Sequence, residues 1–212
     1  VDASRDHHLL AVDRMGIERL CYATQGRGLA FSTSARTLAR ILPQGAVLRQ
    51  QAMYDYLLLH MIPSPDTVFT GVRKLEPGTC LVYSSGQVAL RRYWDPGFKD
   101  RSSVAVDDLR AGLLDQLAAA TTRCLPDDRT GAFLSGGLDS STVAGVLGRV
   151  QGHPARTFSM GFGVDSHDEL HYARISSRHF GCQAVEYTVT PDDIVKVFTD
   201  IATAYDEPFG NS

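Results

Sequence analysis

The chain has no apolar run long enough to cross a bilayer, and its opening residues do not read as a signal peptide, so neither a helical membrane span nor secretion is expected. Cysteine is sparse. Cys21, Cys80, Cys124 and Cys182 stand far apart with no CxxC, which argues against a disulfide framework or a zinc ribbon and suits reduced, largely core thiols in the cytoplasm. Positive charge is not in excess either: 21 Lys and Arg against 24 Asp and Glu leave a net charge of −3, no footprint for nucleic acid. There is no internal repeat and no low-complexity tract. What remains, over 212 residues, is an ordinary soluble composition for one or two domains.

Against that background one stretch stands out, Leu134-Ser135-Gly136-Gly137-Leu138-Asp139-Ser140-Ser141. It follows the apolar run Gly131–Leu134, which reads as a buried strand, and leads into a helix with Val143, Val146, Leu147 and Val150 at i, i+3, i+4, i+7. The first N–H groups of a helix lack internal partners, and the peptide dipoles add about half a positive charge there, so this turn suits phosphate. Gly136 and Gly137 let the backbone approach an anion closely, and Ser135, Ser140 and Ser141 add hydroxyls. Asp139 is out of place beside phosphate unless a hard divalent cation, Mg²⁺, lies between them. The loop lacks the lysine of GxxxxGK[ST] and is not a Walker A. A grip on pyrophosphate that leaves the α-phosphorus open suits nucleotidyl transfer to a carboxylate. The plain alternative is a Ser/Gly-rich turn with Asp139 and Ser140 as caps.

The rest of the chain reads as two parts. Up to Asp95 come strands at His8–Val12, Leu20–Ala23, Leu29–Ser32, Cys80–Tyr83 and Val88–Tyr93, with short helices near Ala35–Leu42 and Ala52–His60. Residues 96–106 read as a linker. Over 107–212, helices at Asp107–Cys124, Glu169–Phe180 and after Thr190 alternate with strands at Arg156–Phe162 and Ala184–Val189. The first helix carries Leu109, Leu113, Leu117 and Ala120 on one stripe, and the last carries Ile194, Val197, Phe198 and Ile201 on a face expected to be buried. This order predicts an α/β fold whose C-terminal part is a parallel, doubly wound sheet with helices on both faces and a ligand crevice at the strand ends.

SGGLDSS resembles the pyrophosphate-binding loop of the PP-loop ATP pyrophosphatases, and Gly131–Leu147 resembles in particular the synthetase domain of glutamine-hydrolysing asparagine synthetases. Other segments agree in the same order. Asp13-Arg14-Met15-Gly16-Ile17 with Leu20-Cys21-Tyr22 is similar to the family's DRxGIxPLYY, and Arg92-Tyr93-Trp94-Asp95 to its RYWD. Tyr56–Pro63 and Thr67–Gly78 resemble its joining region, and Thr157–Phe162, Asp168-Glu169 with Tyr172-Ala173, and Asp206-Glu207-Pro208-Phe209 continue the pattern.

The resemblance implies an adenine-nucleotide α-hydrolase-like fold for 107–212 and the C-terminal portion of an N-terminal-nucleophile glutaminase, an incomplete α+β antiparallel sheet, for 1–95. It implies ATP and Mg²⁺, with main-chain groups at Leu134 and near Met160-Gly161 on the adenine. Ser135, Gly136, Gly137, Asp139, Ser140 and Ser141 would hold pyrophosphate, Asp139 the metal, and Asp139 and Ser135 would be catalytic. Met160 reads equally well as a core side chain. Asp168 and Glu169 read first as helix-start residues, and Asp206 and Glu207 equally as a helix stop or a site.

The implied reaction adenylates a carboxylate such as aspartate and amidates it with glutamine-derived ammonia; a homodimer is compatible, and neither nucleic acid nor membrane is a partner. The family's nucleophilic amino-terminal cysteine and its SGEGSDE segment have no counterpart here, so the chain reads as the middle of a longer protein, inactive alone. Two departures, Phe31-Ser32-Thr33-Ser34-Ala35-Arg36-Thr37-Leu38 for FASEIKAL and Glu18-Arg19 for Lys-Pro, suit relatives that use an internal amine, the β-lactam synthetases and lasso-peptide cyclases. Readings of other classes are a non-catalytic nucleotide-binding scaffold and a zinc hydrolase built on His167-Asp168-Glu169-Leu170-His171, in which the Glu stands one place late for HExxH.

Overall fold

The computed structural model describes residues 7–98, 103–124, 129–163 and 168–210. They divide between two compact units, one within Val1–Phe98 and Phe198–Ser212, the other within Lys99–Val197. Among the described residues no helix is long and apolar enough to cross a membrane.

The first unit holds strands β1 (His7–Ala11), β2 (Cys21–Gln25) and β3 (Gly28–Ser32), helices α1 (Ala35–Ile41) and α2 (Gln50–Leu59), and strands β4 (Arg73–Lys74), β5 (Thr79–Ser84) and β6 (Gln87–Arg92). These form two antiparallel sheets, in orders β1-β5-β6 and β3-β2-β4. Ser85 and Gly86 both take positive φ, 52° and 81°, the geometry a two-residue hairpin turn needs to join β5 to β6 without splaying them. One core packs Cys21 and Ala23 of β2 against Ala35, Leu38 and Ala39 of α1, with Ile62, Val68, Phe69 and Val72. The other gathers Leu10, Val12, Tyr22, Leu75 and Leu81. The Asp13 carboxylate accepts the N–H groups of Met15, Ile17 and Glu18 at 3.0, 3.1 and 2.9 Å, bonds led by Glu18 that hold its pKa below the ordinary value. The DRMGI segment is thus a self-closed turn.

Residues 205–210 pack into this unit through charge. The Asp206 carboxylate accepts from Ser34 Oγ at 2.7 Å and from the Ala35 and Arg36 amides, so it caps α1 together with Ser34, whose own Oγ accepts the Thr37 N–H. Glu207 accepts the Val68 N–H at 2.7 Å and pairs with Lys74 Nζ at 2.8 Å, and Lys74 also donates to the Ile62 carbonyl at 2.7 Å. The Lys74 and Glu207 side chains are only 11% and 7% exposed.

The second unit holds α3 (Val106–Cys124), β7 (Gly131–Phe133), α4 (Leu138–Gln151), β8 (Arg156–Gly161), α5 (Leu170–Phe180) and β9 (Gln183–Thr188), followed by the start of α6 (Pro191–Ala204), a helix that runs on into the first unit. The strands are parallel in order β7-β8-β9, with Ala132↔Thr157↔Ala184 in register. Thr190 and Asp193 cap α6 reciprocally: the Asp193 carboxylate accepts the Thr190 N–H at 2.9 Å, and Thr190 Oγ1 accepts the Asp193 N–H at 3.3 Å.

Three expectations are corrected here. Among the described residues, helices cover one face of this sheet, not two. The strands are added in one direction, so crossovers of the same hand put α4 and α5 side by side, and the face bearing Phe133, Phe158, Met160, Val185 and Tyr187 stays open. The buried face of α4 is not Val143, which is exposed, but Ala144 and Leu147. Its small residues set that face: a Cβ on Gly145 would lie 2.7 Å from the Phe180 ring, a closeness of approach that large apolar residues forbid. Finally, the stripes of α3 and α6 are not core. Leu109 and Leu113 are exposed, with only Leu117 and Ala120 partly covered where α3 meets α4, and Ile194, Val197, Phe198 and Ile201 are exposed.

Removing one member of the buried pair strands the other. Lys74→Met is expected to lower the unfolding free energy by about 3–5 kcal/mol, and Lys74→Met/Glu207→Leu to recover most of it, as read by urea denaturation.

Candidate functional site

The loop from Ser135 to Ser140 is at the surface, at the carboxyl end of β7. Gly136 has φ +88°, and a Cβ built on it would lie 2.4 Å from the Ala173 N and Tyr172 C atoms of α5. Both its conformation and its neighbours demand glycine. Gly137, the N-cap of α4, is different: its φ is −67°, and a Cβ there would meet nothing nearer than Ser135 Oγ at 3.5 Å. No protein atom requires Gly137 to be glycine. A residue kept bare where protein leaves room is what close approach of a ligand calls for.

The amides follow the same logic. Ser135 N–H donates to Ser140 Oγ at 3.3 Å, and Gly137 N–H reaches Ser135 Oγ at 3.4 Å. Among the described residues, the N–H groups of Gly136, Leu138, Asp139 and Ser140 donate to no protein acceptor, and no side chain caps the helix. Four open donors converge at the positive end of a 14-residue helix. Ser135 Oγ and Ser140 Oγ lie 3.1 Å apart at its mouth. Ser141 turns the other way, its Oγ 2.8 Å from Ser176 Oγ of α5, and ties the first turn of α4 to its neighbour. Chemically, such an arrangement suits a phosphate-type anion. Asp139 is exposed in the same turn and among the described residues its carboxylate pairs with no other group, so it is available to a cation shared with an anion there.

The other expected positions lie along the adjoining strands. Leu134 is buried. Its N–H donates to the Phe158 carbonyl at 2.8 Å, and its carbonyl accepts from Ser159 Oγ at 2.7 Å, so a purine contact there falls to the second lone pair of that carbonyl. Met160 is no core side chain, being 55% exposed on the open sheet face. Gly161 accepts the Val189 N–H at 2.8 Å, and its missing Cβ makes room for Leu170 of α5. Asp168 accepts the Leu170 N–H at 3.0 Å, the role a carboxylate at a helix start has for dipole reasons. His167 lies outside the described residues, and among the described ones no group of three or more His, Cys, Asp or Glu could hold a metal, which leaves the zinc reading without support. Sequence reasoning missed the Lys74–Glu207 and Ser34–Asp206 contacts. They join residues more than 130 positions apart, and nothing local marks them.

Cys21 is not poised for nucleophilic work. Cys21 is fully buried, and burial first, then the nearby Glu207 charge, pushes its pKa up to about 12.

Comparison with known proteins bears on the family of the chain. The family model described as glutamine amidotransferase domain matches 1–94, and the one described as asparagine synthase matches 112–212. The chain is 30% identical over 208 residues to a Methanocaldococcus jannaschii protein named "Putative asparagine synthetase (glutamine-hydrolyzing) 2", covering 94% of the chain and 39% of that protein. A Mycobacterium tuberculosis protein named "Putative asparagine synthetase (glutamine-hydrolyzing)" is 30% identical over 211 residues, 93% of the chain and 31% of that protein. The chain belongs to the asparagine synthetase family. Asparagine synthetase (glutamine-hydrolyzing) 1 of Bacillus subtilis is 25% identical over 215 residues, 98% of the chain and 33% of its own length. The chain therefore spans about a third to two-fifths of these family members.

Two outcomes test the site as built. Gly136→Ala is expected to destabilise the fold by at least about 1–3 kcal/mol in urea denaturation, while Gly137→Ala leaves it nearly unchanged. In the native chain at pH 8, Cys124, which is exposed, is expected to be alkylated by iodoacetamide while Cys21 is not. Because the Cys21 thiol ionises near 9 unfolded and near 12 folded, its contribution to stability is present below pH 9 and lost as pH rises from 9 toward 12.

Proposed function

We propose that the chain takes part in ATP-dependent amide formation, in which a carboxylate, aspartate first, is adenylated with release of pyrophosphate and then amidated by ammonia drawn from glutamine. The observation that carries this reading is the start of α4, where among the described residues four amides donate to no protein acceptor and nothing crowds the Cβ position of Gly137. A plain Ser/Gly turn has no use for either.

In the proposed step an oxygen of the acceptor carboxylate attacks the α-phosphorus, and the bond from phosphorus to the bridging oxygen of the departing pyrophosphate breaks. Charge gathers on that leaving group. The N–H groups of Gly136, Leu138, Asp139 and Ser140 are free to meet it, and the hydroxyls of Ser135 and Ser140, 3.1 Å apart, rotate from their partners in the loop to join them. The exposed Asp139 carboxylate fits a Mg²⁺ held otherwise by phosphate oxygens and water, and that ion would supply charge neutralisation on the pyrophosphate. Main-chain groups near Leu134 and Met160-Gly161 remain the candidates for the adenine. The amide nitrogen comes from glutamine in this reading because the amidotransferase model covers 1–94 and the relatives are named glutamine-hydrolyzing. The buried Cys21 has no part in releasing it.

The test is pyrophosphate release by the protein as encoded, with ATP, Mg²⁺ and aspartate. Asp139→Asn is expected to cut the rate by at least about 100-fold, and Gly137→Ala to weaken ATP binding by at least about tenfold, because its methyl takes the space of the phosphate. Undiminished release in Asp139→Asn removes that residue from the mechanism.

A further inference from the structure

Three consecutive hydroxyls near the start of α4 bond in different ways. Ser140 Oγ donates to the Gly137 carbonyl at 3.2 Å and Thr142 Oγ1 to the Leu138 carbonyl at 2.7 Å, the local back-bonds that serine and threonine make in a helix. Ser141 reaches out of its own helix. Its Oγ lies 2.8 Å from Ser176 Oγ of α5, a partly buried contact between the two helices. Its N–H already donates to the Gly137 carbonyl at 3.0 Å, so it is not among the four open amides.

The remaining contact between α4 and α5 is smooth. Next to the loop it consists of Ala144 and Ala173 beside Leu134, and farther along the Phe180 ring lies over Gly145, which has no side chain. Methyl groups and a bare glycine form few ridges to lock into grooves, so apolar packing alone leaves the roll of α4 about its axis weakly defined. Gly136 is seated on Tyr172 and Ala173, but it precedes the helix and does not fix that roll. A roll of roughly 20° moves backbone atoms, on a radius of about 2.3 Å, by about 0.8 Å, enough to spoil hydrogen bonds from the amides of Leu138, Asp139 and Ser140 to one anion. A directional bond between the helices removes this freedom.

We propose that Ser176 is a positioning residue for the anion site. Through Ser141 it sets the roll of α4, and Ser141 is the other half of this tie and not itself a ligand to phosphate, the role the family resemblance implies for it. This deepens the nucleotide reading above and rests on it.

The test is a double-mutant cycle on ATP binding, measured by equilibrium dialysis with Mg²⁺ in the protein as encoded, with the urea midpoint of each variant alongside. Ser176→Ala is expected to raise the ATP dissociation constant about three- to tenfold, and Ser141→Ala and Ser141→Ala/Ser176→Ala to raise it by the same factor, since each removes the same bond. Ser176→Thr, which keeps the hydroxyl, is expected to bind ATP within about twofold of the parent. Alanine is a good helix former, so the alanine variants keep α4 and α5. An unchanged constant in Ser176→Ala overturns the proposal whatever the urea midpoint does, because the bond is then merely structural. A loss in Ser141→Ala alone, or losses that multiply in the double variant, overturns it as well, because Ser141 then meets the nucleotide directly. In all these cases the parent binds ATP and the nucleotide reading stands. A parent that does not bind ATP overturns both.

Discussion

A glycine pressed against the backbone of a neighbouring helix keeps the first turn of α4 open. Gly136 lies so close to Tyr172 and Ala173 of α5 that no side chain fits, and its φ of +88° is one that L side chains rarely adopt. The other features of the site follow from that seat. Ser141 bonds to Ser176 on α5 and fixes the rotation of the helix, while Ser135 and Ser140 remain at the mouth. The shape of the loop is thus a property of helix packing as much as of its own residues. A turn of the same composition without α5 beneath it would have to close on its own amides.

The loop itself was legible because its chemistry is local. Glycines, serines and an aspartate between a strand and a helix carry their meaning in consecutive residues, and short apolar runs separated by glycine turns mark β2, β3, β5 and β6 in the same way. What periodicity misjudged was which side of each helix is buried. Helix α4 buries Ala144 and Leu147 because Gly145 and Gly148 admit close neighbours, whereas a count of large apolar residues points to Val143. The method weighs size, and close packing here selects for its absence.

The parallel sheet shows a second limit of pattern reading. Alternating helix and strand announces parallel strands, and parallel strands are found, but the alternation says nothing of the direction in which strands are added. Three strands laid down in sequence keep their helices on one face. The opposite face then shows Phe133, Phe158, Met160, Val185 and Tyr187, and α6 shows Ile194, Val197, Phe198 and Ile201, apolar surface well beyond what isolated exposed residues explain.

The polar contacts of Asp206 and Glu207 belong to neither kind of pattern. Each carboxylate is satisfied by groups brought near by folding, and a helix stop in Asp-Glu-Pro would look the same in sequence whether it ended in water or in the interior. The structure distinguishes the two by geometry: Asp206 takes φ +55° to aim its carboxylate at the start of α1, a conformation non-glycine residues adopt at a cost, and Ser34 rather than an acid stands opposite. An acid at position 34 would set like charges against each other at a helix start. The neutral N-cap at Ser34 and the charge at Asp206 are therefore two halves of one contact, and the same reasoning pairs Lys74 with Glu207, since either charge buried alone would be driven back toward water.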